Sequence, residues 1–175
     1  MRETVYVDGA YTAHRWGRTA APRWIIVHDP GNDRATPENT LRFLRKNAGR
    51  VSYDRLLWAH GQTAYCAVLA PLHEHTGHAG VATRIPNTSV TNGTVNRLTV
   101  GISACTYGVP TLPGTPLFDA LAEECVRVIY SAGMADAGVV LAHREVNTVP
   151  GRRTDPRGVD MEQLRAAIAA RLTGR

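Results

Sequence analysis

The order of predicted elements along this chain of 175 residues indicates an α/β fold, a single domain in which helices flank a mixed central β-sheet. Short apolar runs of strand length alternate with longer amphipathic segments. The length suits one domain with its own core, and a hydrophobic content of 43% with 20% charged residues is typical of a folded chain. We therefore expect residues 1–175 to form one domain.

The strands are predicted from short apolar runs that end in turn residues. RWIIVH and GVVLAH have the pattern of buried strands, and RLTVGISACTYG returns to β character further along. VSYDRLLWA and TAYCAVLA flank HGQ, which predicts two adjacent strands joined by a tight turn. Residues 1–21 are predicted to form an N-terminal arm or a hairpin around an Asp-Gly pair.

Three helices are predicted, each from a capping residue followed by apolar positions at helical spacing. They cover residues 36–48, 115–133 and 160–172. Their predicted caps are Thr36, Thr115 and Asp160. Between the first two helices, Pro71–Asn96 is loop-like, and so long an irregular segment in a compact domain is usually functional.

The net charge of the chain indicates which kinds of binding partner are favoured. Twenty basic and fifteen acidic residues give a net charge of +5 and a pI of about 9.5, which favours polyanions such as nucleic acid or an anionic cell wall. The basic residues are scattered, without the long like-charge run of a nucleic-acid tail, so nucleic acid is not a predicted partner. The sequence has neither the apolar core of a secretory signal nor an apolar run long enough for a membrane span.

The cysteines and glycines exclude several kinds of site. Cys66, Cys105 and Cys125 are odd in number, lack CxxC spacing and lie in apolar runs, so they are predicted to be buried small residues rather than disulfides or zinc ligands. No phosphate-binding glycine motif follows a predicted strand, so the sequence does not predict a nucleotide cofactor.

Two histidines stand directly after predicted strands, His28 and His143. Such residues emerge at the sheet edge, where α/β domains place ligands and catalytic groups. Asp155, in the loop after the second histidine, could supply a third ligand and leave a fourth position for water, as in an open zinc site. A structural interpretation is also open, since strand-end histidines often only hydrogen bond and Asp before Pro is a common turn former.

Five segments resemble, in order and spacing, the zinc-dependent N-acetylmuramoyl-L-alanine amidases related to bacteriophage lysozymes and peptidoglycan recognition proteins. The segments are WIIVH, VSYDRLLWAHGQTAYCAV, HTGHAG, NRLTVGIS and LAHREVNTVPGRRTDP, and they span about residues 22–172. The last block is the most specific. The resemblance implies the fold of that family, Zn²⁺ as cofactor, and hydrolysis of the amide between N-acetylmuramic acid and L-alanine in peptidoglycan.

The resemblance also implies roles for individual residues. The metal ligands would be His28, His143 and Asp155. Tyr53 matches a tyrosine that borders the metal, and its phenol could donate to the oxyanion formed during hydrolysis. Arg153 stands where many members have Lys, and its guanidinium could clamp the same oxyanion. His78, in GHAG, matches an element that lines the substrate groove.

The chain departs from the family's pattern at the general base. Ser103 stands where many members have a catalytic Glu, and a serine cannot replace that base by itself. Asp54 replaces a common His after the tyrosine, and Asp29 follows the first ligand. Either carboxylate could orient a ligand imidazole or act as base, and the sequence does not choose between them. Zinc-activated water could serve without a separate strong base.

Two other functions stay open. The loss of Glu at position 103 favours a module that binds muropeptide without cutting it, whereas the three retained ligand types favour the enzyme. A basic metal-dependent nuclease is the second alternative, and no phosphate-cradling element supports it. For the enzyme, the lack of a signal peptide is typical of a phage endolysin, which a holin releases from the host cytoplasm to the wall, or of a cytoplasmic recycling amidase. We expect a monomer.

Overall fold

The computed structural model describes residues 3–8, 15–30, 36–46 and 52–174. Within these ranges, strands and helices follow one another in the order β1 (Thr4–Asp8), β2 (Trp16–Gly17), β3 (Trp24–His28), α1 (Pro37–Lys46), β4 (Arg55–His60), β5 (Thr63–Val68), β6 (Glu74–His75), α2 (Gly93–Leu98), β7 (Thr99–Ala104), α3 (Pro116–Ala132), β8 (Val140–Ala142), α4 (His143–Val146) and α5 (Met161–Thr173). A 3₁₀ turn, Ala137–Val139, precedes β8.

The central sheet has six strands in the order β1-β5-β4-β7-β3-β8. β4 and β5 run antiparallel through the predicted tight turn, and the other neighbouring pairs of the sheet run parallel. The predicted mixed α/β sheet in a single domain is confirmed. β2 and β6 form a separate antiparallel pair.

Helices and loops cover both faces of the sheet. On strand β3, Ile25 and Val27 pack into the larger core with residues of α3 and α5, while Ile26 packs on the other face with Ile85 and Val146. This double burial explains why the strand reads as an uninterrupted apolar run. No helix of the described residues is both long enough and apolar enough to cross a lipid bilayer.

The N-terminal segment joins the main sheet. Thr4–Asp8 forms the edge strand β1, paired in parallel with β5, where the sequence pattern predicted an arm or a hairpin. The glycine of the predicted turn lies outside the described residues. The predicted burial of Cys66, Cys105 and Cys125 is confirmed, and all three are free thiols.

The three predicted N-cap residues differ in whether their side chains bond to the first turn of the helix. The Asp160 carboxylate accepts from the backbone amides of Glu162 and Gln163, and the Thr36 hydroxyl accepts from the amide of Asn39, as predicted. Thr115 takes the predicted N-cap position of α3, but its hydroxyl donates to the carbonyl of Leu112 and makes no capping hydrogen bond. Helix α3 nevertheless ends as predicted, at a glycine in the left-handed conformation, Gly133 with φ 65°.

Candidate metal centre and cleft

His28, His143 and Asp155 come together at the carboxyl edge of the sheet. The Nδ1 atoms of the two histidines are 3.1 Å apart. Oδ2 of Asp155 lies 3.1 Å from Nδ1 of His28 and 3.0 Å from Nδ1 of His143. Each residue offers one ligand atom, and these atoms lie within 4.8 Å of one another. The structure therefore brings together the three residues that the sequence predicts as ligands.

The parallel register of the strands places the two histidines side by side. His28 is the last residue of β3, and Val27 pairs with Ala142, the last residue of β8. His143 follows at once as the first residue of α4, so both side chains leave neighbouring parallel strands at the same edge.

The loop that carries Asp155 is fastened at two points. The backbone amide of Arg144 donates to the carbonyl of Asp155 at 3.0 Å. Arg157 donates its backbone amide to the carboxylate of Asp29 at 2.7 Å, and its guanidinium lies 3.1 Å from the other oxygen. Asp29 is thus bonded to the loop of the third ligand, a contact that differs from the two roles left open by the sequence, orienting an imidazole or acting as base.

The protonation of the cluster suits a cation. Burial lowers the pKa of His28 to about 4, so its ring is neutral near pH 7. Burial alone raises the pKa of Asp155, but the imidazoles of His143 and His28 outweigh it and hold this pKa below its usual range. The set therefore offers neutral imidazole and ionised carboxylate, the forms that bind a metal.

A divalent cation fits this donor set. Nε2 of His143 lies 3.1 Å from the carbonyl of Ala79, which can only accept, so the tautomer with the proton on Nε2 satisfies this contact and frees Nδ1 for a metal ion. With His28 in the same tautomer, both Nδ1 atoms and the Asp155 carboxylate can bind one ion. Two imidazole nitrogens and one carboxylate form the protein part of an open, catalytic type of zinc site.

A cleft of about 380 Å³ opens over the cluster, bordered by the three candidate ligands and by Tyr53, His78 and Arg153. The ring centroids of Tyr53 and His28 are 5.3 Å apart. Burial, followed by the charge of Asp155, raises the pKa of the phenol, which therefore stays protonated and can donate. Arg153 is exposed and reaches over Gly80, where a Cβ would lie 3.4 Å from its Nη2.

His78 borders the cleft, but its ring is buried behind His28. Its Nδ1 lies 3.2 Å from Nε2 of His28, and its Nε2 lies 3.0 Å from the hydroxyl of Thr99. Burial, with the nearby charge of His28 second, lowers the pKa of His78 well below its usual value. Both ring nitrogens thus have partners inside the protein, and the predicted contact with substrate stays a prediction.

Two further residues singled out from the sequence, Ser103 on β7 and Asp54 directly before β4, also lie near the cluster. Ser103 pairs with His28 in strand register, and its buried hydroxyl lies within hydrogen-bonding reach of the phenol of Tyr53. The Asp54 carboxylate accepts from the backbone amides of Thr76 and Gly101. Burial raises the pKa of Asp54 to about 6, although Arg18 opposes this. Asp54 therefore holds the backbone behind the site.

Sequence patterns did not single out several groups around the cluster. Ala79 acts through its backbone carbonyl, which no side-chain motif reveals. Thr99 is one of many strand threonines and gave no signal. Arg157 could have been found, because an acidic residue directly after the first ligand needs a partner when buried. Phe43, on α1, also borders the cleft.

The comparisons with known proteins identify the fold. No family model and no curated protein matches the chain. Among solved structures, the Staphylococcus aureus hydrolase AmiA, crystallised with its ligand, matches with a TM-score of 0.70 and 16% identity over 97% of this chain and 83% of that one. The catalytic domain of XlyA matches with a TM-score of 0.66 and 17% identity over 93% and 98%.

A Bacillus subtilis endolysin, in a mutant form, matches with a TM-score of 0.64 and 19% identity over 95% of this chain and 99% of that one. Identities this low show a common fold and do not transfer an activity. The chain therefore has the amidase-type fold that the sequence resemblance implied, shared with endolysin and cell-wall amidase catalytic domains.

Proposed function

We propose that the chain is a peptidoglycan hydrolase, and specifically a zinc-dependent N-acetylmuramoyl-L-alanine amidase. It would cleave the amide between the lactyl group of muramic acid and L-alanine. The observation that carries the proposal is the convergence of His28, His143 and Asp155 beneath an open cleft, in a chain with the fold of endolysins and amidases.

His28 and His143 would hold the zinc ion through Nδ1 and Asp155 through its carboxylate. Zinc bound in this way supplies a Lewis acid for the scissile carbonyl and lowers the pKa of water toward neutrality. The protein's contribution is to keep His143 and Asp155 in place before the ion arrives, through the Ala79 carbonyl and the Asp29–Arg157 contact respectively.

Tyr53 and Arg153 would stabilise the negative charge that develops on the carbonyl oxygen. The phenol of Tyr53 is protonated beside the candidate metal centre, so it can donate without first taking up a proton. The guanidinium of Arg153 presents several donors in a fixed plane at the border of the same cleft. For His78, a contact with substrate stays part of the prediction, and the buried ring favours a role toward His28.

The net charge of +5 supports a polyanionic substrate surface such as the bacterial wall. A phage endolysin that reaches the wall through a holin, or a cytoplasmic recycling amidase, are the two settings that we propose. Intact sacculi and soluble muropeptides separate them, because an endolysin should act on both and a recycling enzyme chiefly on the soluble fragments.

The test is hydrolysis of purified sacculi by the zinc-loaded chain. We expect new L-alanine amino termini without new reducing sugar ends, and roughly one zinc per chain by elemental analysis. Tyr53→Phe should lower kcat roughly 10²-fold, as for the loss of one oxyanion donor. A His143→Ala preparation that still contained zinc and still released L-alanine amino termini would refute the proposal.

A module that binds muropeptide without cutting it is the second candidate. Ser103, in place of the carboxylate that many related enzymes carry, favours it. If the fully zinc-loaded chain binds sacculi but releases no L-alanine amino termini, the binding module is the correct function.

A further inference from the structure

A chain of hydrogen bonds runs from the candidate metal ligand His28 to the backbone of α2. The Thr99 hydroxyl lies 2.7 Å from the carbonyl of Val95, and its oxygen lies 3.0 Å from Nε2 of His78. Nδ1 of His78 lies 3.2 Å from Nε2 of His28. Nδ1 of His28 then faces His143 and Asp155.

The far end of this chain sets its direction. A carbonyl can only accept, so the Thr99 hydroxyl donates its proton to the hydrogen bond with the Val95 carbonyl. Its oxygen must then accept from Nε2–H of His78, and the neutral ring of His78 keeps a lone pair on Nδ1. That lone pair accepts from Nε2–H of His28, which leaves Nδ1 of His28 as the bare nitrogen. The reverse order would put a proton between the candidate ligands.

The surroundings of His78 agree with this direction. Oδ2 of Asp54 lies 3.9 Å from its Nε2, so a negative charge faces the nitrogen that carries the proton. Gly101 leaves the space that the ring occupies, because a Cβ at that position would lie 2.4 Å from Cγ of His78. The side chain of His78 is fully buried, which protects the chain from competition by water.

We propose that His78 is a positioning residue, which fixes His28 in the form whose Nδ1 binds the metal. This inference rests on the proposed zinc site and deepens it. His78 and Ala79 are consecutive, so one short segment directs both ligand imidazoles: residue 78 through its ring and residue 79 through its carbonyl. Outer partners of this kind typically change metal affinity or activity about 10- to 100-fold when removed.

The first measurement needs no variant. Nitrogen chemical shifts of the imidazoles in the metal-free chain at pH 7.5 report which ring nitrogens carry protons. We expect protonated Nε2 and bare Nδ1 on both His28 and His78. A protonated Nδ1 on His78 would overturn the proposal. Because no zinc and no substrate are present, this result is independent of whether the chain is an amidase.

The second measurement is zinc affinity, by competition with a chromophoric chelator. We expect His78→Phe to raise the Kd for zinc about 10- to 100-fold, and His78→Asn to recover part of this, because its amide oxygen can accept from His28 as Nδ1 does. Thr99→Val should raise the Kd about tenfold, and the matched control Thr99→Ser should leave it unchanged. Circular dichroism checks that each variant folds.

A substrate contact would give a different result. If His78→Phe kept the wild-type Kd for zinc and raised only KM, His78 would bind substrate and the positioning role would be wrong. Failure of the proposed function would look different. If the chain binds zinc through this network but releases no L-alanine amino termini, the positioning role of His78 stands and the amidase assignment is wrong.

Discussion

Arg55 of β4 and Glu124 of α3 form a buried polar cluster with Tyr6, and His28, His143 and Asp155 form another at the carboxyl edge of the same sheet. In the first, donors meet acceptors: Arg55 Nε donates to Glu124 at 3.0 Å and the Tyr6 hydroxyl donates to its other oxygen at 2.7 Å. In the second, two imidazole nitrogens and a carboxylate oxygen meet, and all three are atoms that can bind a metal ion.

The difference separates a structural cluster from a ligand site. Burying a charge is tolerated when it is paired and hydrogen bonded, and the Arg55–Glu124 cluster meets this condition with groups of the chain alone. In the His28–His143–Asp155 cluster a carboxylate meets two imidazoles, and a proton or a metal ion would supply the positive charge between them.

The largest effect that we expect comes from Asp155→Ala. It removes the charged ligand, so zinc content should fall from roughly one per chain toward zero. Release of L-alanine amino termini should fall at least roughly 10⁴-fold, more than 5 kcal/mol of transition-state stabilisation. Glu124→Ala is the matched control, since it removes a buried carboxylate from the other cluster. Equal zinc loss in both variants would break the comparison.

Glu124→Ala should instead destabilise the fold, because it leaves the Arg55 guanidinium buried without its partner. We expect the free energy of unfolding in urea to fall by about 3–5 kcal/mol. The zinc stoichiometry of the remaining folded protein should stay at the wild-type level. An unchanged free energy of unfolding would show that Arg55 is held by its backbone partners alone, the carbonyls of Asp54 and Ala70.

Acid should destabilise the metal-free chain through His28. Its pKa of about 4 in the folded state lies below the unfolded value near 6.5, so the unfolded chain binds more protons between these pH values. The contribution to stability is complete above pH 6.5 and is lost as the pH falls toward 4, by about 3 kcal/mol.

The measurement is urea unfolding at a series of pH values, for wild type and His28→Gln. The difference in pH dependence between the two proteins isolates the contribution of His28. Asp54 is present in both, and its pKa, raised to about 6, makes the free energy of unfolding fall as the pH rises from 3.8 to 6. Equal slopes for the two proteins would contradict the prediction. Saturating zinc should reduce the acid sensitivity of wild type, since the bound ion stabilises the folded state.

The smallest change in stability that we expect comes from Tyr6, at the exposed side of the Arg55–Glu124 cluster. Tyr6→Phe removes one donor to Glu124 and leaves Arg55 in place, so we expect a loss of about 1.5 kcal/mol in the free energy of unfolding. Zinc affinity should not change. A measurable change in the zinc Kd would show that the two clusters are coupled through the sheet.

Local patterns predicted most of the fold. Apolar runs and caps identify the strand before His28 and the helix after Asp160 because both depend on neighbours in the sequence. The edge strand Thr4–Asp8 was not predicted as part of the sheet, since its partner β5 lies far along the chain. Thr115 was placed correctly as the N-cap residue of α3, but the sequence does not reveal that its hydroxyl donates to the carbonyl of Leu112.

In the candidate site, too, local patterns identified some residues and missed those that depend on distant contacts. The strand-end positions of His28 and His143 indicated that they would share an edge, the loop position of Asp155 suggested a third ligand, and the resemblance implied the same set. The partners of these ligands depend on tertiary contacts. The Ala79 carbonyl and the His78 ring meet them because the segment after β6 packs against the sheet, and residue types alone do not encode that path.

The pairing of His143 with the carbonyl of Ala79 also affects how the site would look in a mutational survey. Replacing side chains one at a time would detect residue 78 and miss residue 79, whose contribution is made by the main chain. An amide-to-ester exchange at the Ala79–Gly80 bond, introduced by protein semisynthesis, would weaken the carbonyl as an acceptor and make that hidden contribution measurable.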